Sequence, residues 1–66
     1  RNYAKEKKMG GNIYIQVQDT TGNWRTYTTT SNNDLLIMNA INNLKDQFKD
    51  RRVRAIDEKG MLMYIV

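Results

Sequence analysis

Residues 31–49 read SNNDLLIMNAINNLKDQFK, and the spacing of their apolar side chains decides the fold. Ile37, Ala40, Ile41, Leu44 and Phe48 recur at i, i+3, i+4, i+7 and i+11, the period of one buried face of an α-helix. Asn39, Asn42, Asp46 and Lys49 fall on the opposite face and keep it in water. The start of the helix is expected at Ser31, whose hydroxyl can accept from the first free amides while Asp34, three positions on, sets a carboxylate in the positive first turn. Leu35 is discordant. It lies nearly opposite the stripe, which points to a contact with the chain leading into the helix or with a partner.

On both sides of this helix the period drops to two. Ile13, Ile15 and Val17 alternate with Tyr14, Gln16 and Gln18, Asp19-Thr20-Thr21-Gly22 reads as a turn, and residues 23–30 are rich in the strand-favouring Thr, Trp and Tyr. After the helix, residues 52–56 alternate again, Asp57-Glu58-Lys59-Gly60 repeats the Asp-x-x-Gly pattern, and residues 61–66 form a continuous apolar strand. The order ββαββ predicts a two-layer α+β domain over residues 12–66, a four-stranded antiparallel sheet with one helix packed on one face. Ahead of it, residues 1–11 read as a flexible basic arm. Arg1, Lys5, Lys7 and Lys8 against Glu6 supply three of the chain's four net positive charges, and Gly10-Gly11 separates them from the first strand.

The turns assign the sheet faces. If both are three-residue loops closed by a glycine bulge, Ile15 pairs with Tyr27 and Val53 with Ile65. The helix side then holds Ile13, Ile15, Val17, Tyr27, Val53, Ala55, Met61, Met63 and Ile65. The other side holds Tyr14, Gln16, Trp24, Thr26, Arg52, Arg54, Ile56, Leu62 and Tyr64. If the loops close with four residues instead, the parity of each second strand flips and Trp24 joins the core.

Length and composition remove whole classes of function. At 66 residues the chain is one domain, close to the size where burial barely offsets chain entropy. With no cysteine and no histidine there is no disulfide framework, thiolate zinc site or imidazole for acid–base work. No apolar run approaches the roughly 18 residues of a membrane span, and the expectation is a soluble, cytoplasmic protein. Ser31 is the single serine and Asp19 and Asp57 are turn residues, so no catalytic group is assigned. Gly10-Gly11 lacks the lysine and strand-to-helix setting of a phosphate loop, and Asp57-Glu58 alone is a weak metal site. No cofactor and no enzymatic activity are expected.

What remains is binding. Bases stack on aromatic rings and guanidinium planes, and Tyr14, Trp24 and Tyr64 beside Arg25, Arg52 and Arg54 supply both, although Arg25 points to the helix side in this register and only its length could bring it round. A non-enzymatic module that binds nucleic acid through this face and the basic arm is the preferred reading. The alternative is a protein-interaction module, a homodimer or a small inhibitor of a host protein, using the same face. A third reading needs no ligand: Trp24 and Tyr64 cover a small core while Arg51, Arg52 and Arg54 solvate an edge.

Gly22-Asn23-Trp24-Arg25 after a strand, then a helix, then Arg52-Val53-Arg54-Ala55-Ile56-Asp57 with Gly60, resembles small uncharacterised proteins encoded by bacteriophages and prophages. The resemblance covers about residues 12–65. It implies a small accessory protein in a bacterial cytoplasm and carries no mechanism with it.

Overall fold

The computed structural model describes residues 11–66, so Arg1, Lys5, Lys7 and Lys8 of the expected arm lie outside the described residues. The elements follow in the order β1 (Asn12–Gln18), β2 (Trp24–Ser31), α1 (Asp34–Gln47), β3 (Val53–Ile56) and β4 (Leu62–Ile65). All neighbouring strands are antiparallel, in the spatial order β2-β1-β3-β4. The helix lies across one face of this sheet, and the fold is α+β, ββαββ.

The two hairpin turns are built alike. The Asp19 carboxylate accepts from the amides of Thr21 and Asn23, both at 2.9 Å; that of Asp57 accepts from Lys59 and Met61, again at 2.9 Å. Each turn closes through a backbone bond from its glycine, Gly22 to Asp19 at 3.1 Å and Gly60 to Asp57 at 3.0 Å. Those glycines sit at φ 92° and 84°, the left-handed region that a side chain makes costly. Both loops therefore have three residues and a glycine bulge. At this end the expected register holds, with Gln18 opposite Trp24 and Ile56 opposite Leu62.

Further along, each hairpin slips by one residue. In the first, Ile15 lies opposite Thr28 rather than Tyr27, with the irregularity between Ile15 and Gln16. In the second, Ala55 lies opposite Tyr64, and Val53 exchanges both backbone bonds with Val66 rather than Ile65. Tyr27 and Met63 are the extra residues of two β-bulges, each in the outer strand of its hairpin. The second bulge exchanges two side chains: Tyr64, expected away from the helix, turns toward it, and Ile65, expected in the core, turns away.

The core is the stripe read from the sequence. Ile37, Ile41 and Leu44 of α1 are buried against Ile13, Ile15 and Val17 of β1 and Val53 and Ala55 of β3, with Ala40, Phe48 and Tyr64 packed at its margin. Tyr27 keeps to the helix side, its ring edge-on to Phe48 at 5.1 Å between centroids. Met61 and Met63, expected in the core, are exposed. Leu35 is 75% exposed and is not part of the core.

The helix starts later than expected. Ser31 ends β2, and Asn33 is the cap, its Oδ1 accepting from the Leu36 amide at 3.2 Å. The chain turns directly after Ser31, where the Asn33 amide donates to Ser31 O at 2.7 Å, and Asn33 itself has extended backbone. At the other end the Phe48 amide donates to Leu44 O at 2.8 Å, and Lys45 Nζ donates to Arg51 O at 2.7 Å, fastening the start of β3. Among the described residues no helix is long and apolar enough to cross a membrane.

Candidate binding face of the sheet

The face away from α1 is ordered in three rows that follow from register and from the alternation of strand side chains. Arg52, Gln18 and Trp24 form the first; Arg52 O accepts from the Gln18 amide at 3.0 Å, and Gln18 is opposite Trp24. Arg54, Gln16 and Thr26 form the second. Ile56, Tyr14 and Thr29 form the third. Ile65 extends the second row onto β4 and Leu62 extends the third.

Hydrogen bonds join the second row across three strands. Arg54 Nε donates to Gln16 Oε1 at 2.8 Å, and Gln16 Nε2 donates to Thr26 Oγ1 at 2.9 Å. Arg54, thus anchored, holds its guanidinium over the Trp24 ring, with Cζ 4.2 Å from the centroid, well inside the range of a cation–π contact. Only Nε is used by Gln16. The terminal nitrogens have no hydrogen-bond partner among the described residues and remain as planar donors for a phosphate or a base edge.

Trp24, Arg52, Arg54 and Tyr14 thus share one face, as expected. Tyr14 and Trp24 are set apart: four strand positions at roughly 3.3 Å each separate their rows, so they offer two stacking positions with the arginine row between them. Arg25 and Tyr64 do not belong to this face. Arg25 is opposite Val17 on the helix side, and its Nε pairs with Asp19 Oδ2 at 3.2 Å. Tyr64, carried over by the bulge, donates its hydroxyl to Asp34 Oδ1 at 3.0 Å. This bond and the charge of Asp34 raise the phenol pKa.

Gln16 and Thr26 belong to this arrangement, which alternation alone does not reveal, because the row needs the pairing of β1 with β3, strands separated by the whole helix. Asp19 is a turn brace. The Thr21 hydroxyl donates to its Oδ1 at 2.6 Å and is the main reason its carboxyl titrates well below the usual range, with the Asn23 amide, Arg25 and the Thr21 amide adding to the effect against some desolvation. A carboxylate so fully used as an acceptor makes a poor proton acceptor. Among the described residues no three carboxylates converge on one point as metal ligands.

The face is graded in chemistry from one edge to the other. Toward β2 it is aromatic and hydroxylic, in the middle it is basic, and toward β4 it is apolar, with Leu62 and Ile65 exposed. No protein-family model, no curated protein and no solved structure matches this chain.

Proposed function

We infer that the chain is a non-enzymatic nucleic-acid-binding module that takes single-stranded segments across the open sheet face. The observation that carries this is the Arg54 guanidinium held over the Trp24 ring by the Gln16–Thr26 row. Holding that arginine before binding lowers the side-chain entropy lost on contact, and its free terminal nitrogens suit a phosphate. Arg52 next to it adds charge, and Tyr14 adds a second ring for a base. The basic residues 1–8 add long-range attraction for a polyanion. A small bacteriophage-type accessory protein acting in a bacterial cytoplasm is consistent with this chemistry.

Trp24 is the single tryptophan, so its emission reports on the site directly. A single-stranded oligonucleotide is expected to quench it, and the apparent affinity should fall with salt at a slope of about −0.7 per phosphate engaged. Trp24→Ala should cost about 1–3 kcal/mol of binding, the worth of one stacked base. Emission unchanged by oligonucleotide at low salt would refute the assignment. The exposed Leu62 and Ile65 favour a second reading, a protein partner on the same face, whose binding would respond little to salt.

A further inference from the structure

We propose that β4 is a dimerisation edge: two copies of the chain join through antiparallel pairing of their β4 strands into a continuous eight-stranded sheet. This rests on β4 and its surroundings and is independent of nucleic-acid binding.

Residues 61–66, Met-Leu-Met-Tyr-Ile-Val, carry no charge and no proline, two of the devices that protect an outer strand; the bulge at Met63 is a third, and it leaves Leu62 and Ile65 on one face of the sheet. Five of these six side chains are exposed, from Met61 at 64% to Met63 at 36%. The helix packs over β1, β2 and β3 but not β4, where Tyr64 alone is drawn to the core margin and bonds Asp34. Met38, one helical turn from Asp34 and so on the same flank of the helix, is exposed. Among the described residues the outward backbone groups have no partner as well. Val66 exchanges both its bonds with Val53, so by the alternation of an antiparallel ladder the amide and carbonyl of Ile65 point away from β3. Leu62 has the same orientation, because the adjoining Asp57 and Met61 are bonded to each other across the turn.

Charge selects a second copy, and selects the antiparallel arrangement. At one end of β4 the turn carries Asp57 and Glu58 against Lys59; at the other, the chain leading into β3 carries Lys49, Arg51 and Arg52 against Asp50. A two-fold axis across β4 sets the acidic turn of each copy beside the basic end of its partner, whereas parallel pairing would oppose like charges. Ile65 then lies opposite Leu62 of the other copy, and the two bulges face each other at the axis. The contact is isologous and closed.

The test measures the solution mass of the full chain across a dilution series, with hydrogen exchange at the Ile65 amide. The expected result is a shift from twice the 7.8 kDa chain mass toward a single chain on dilution, with the Ile65 amide protected only at high concentration. Ile65→Lys should weaken the dimer at least about tenfold while leaving the circular dichroism of the monomer unchanged. Glu58→Arg and Arg52→Glu should each weaken it, and the double variant should restore it. A constant single-chain mass with a fast-exchanging Ile65 amide overturns the proposal. So does a dimer indifferent to all of these substitutions, which would sit elsewhere, and so does a dimer that forms only after residues 1–10 are removed, which would make that segment the occupant of the edge. Should Ile65→Lys fail to fold, the concentration dependence of exchange in the unmodified chain decides the matter alone.

Discussion

Asn33 and Ser31 separate two accounts of how α1 begins. The cap needs an extended backbone and a side-chain acceptor turned toward the first amides. Asn33 has both, whereas Ser31 is committed to pairing with Asn12. Asn33→Ala should lower stability by about 1 kcal/mol and Ser31→Ala by only a few tenths, as read by urea denaturation. At the same scale, Asp19 couples stability to pH. Its folded pKa is depressed, so the stabilisation is complete above the unfolded value near 3.9 and is lost as pH falls through the lower folded value. The thermal midpoint should therefore drop as pH falls below about 4. In Asp19→Asn that drop should be visibly smaller, measured from pH 5 down. A sequence can name the residues of such a turn, since Asp-x-x-Gly is short-range chemistry. It could not place the cap at Asn33 rather than Ser31, because the choice depends on where β2 stops pairing with β1.

Among the elements, α1 was the most legible and the outer strands the least. The stripe from Ile37 to Leu44 appears in the core without change because helical periodicity is local. Ile41→Ala should cost about 2–4 kcal/mol through the cavity it leaves, whereas Leu35→Ala on the exposed flank should stay within about 0.5 kcal/mol; thermal unfolding of the two variants checks both. The bulges at Tyr27 and Met63 could not be read. Neither position carries a glycine, and the extra residue is fixed by partners distant in sequence: Tyr27 meets Phe48, and Tyr64, shifted by the bulge at Met63, meets Asp34. That explains the mixed fate of the binding face. Trp24 lies on the turn side of the bulge at Tyr27 and Arg54 on the unbulged inner strand β3, so both keep their expected orientation. Tyr64 lies beyond one and loses it. Arg25 was expected on the helix side with only its length to bring it round, and its ion pair with Asp19 holds it away from the face instead.

On the scale of the whole molecule, β1 and β3 form the centre of a sheet whose two hairpins are related by an approximate two-fold axis. Both have the Asp-x-x-Gly turn, and both have a bulge in the outer strand. The two edges differ in composition, β2 having Thr26, Thr28, Thr29 and Thr30 where β4 is apolar. The irregularity at Tyr27 consequently does more than shift a register. Amyloid grows when an outer strand offers an evenly spaced, flat row of hydrogen-bonding groups to the next chain. A bulge alone does not close an edge, since β4 has one too; in β2 it adds its twist to a border of threonine side chains in place of the apolar run of β4. With β4 occupied by a second copy, both remaining borders are β2, so the assembly has no template on which to elongate. Prolonged incubation of the native protein should leave thioflavin T dark, and fibrils seeded by native dimers would show that the β2 border is open after all.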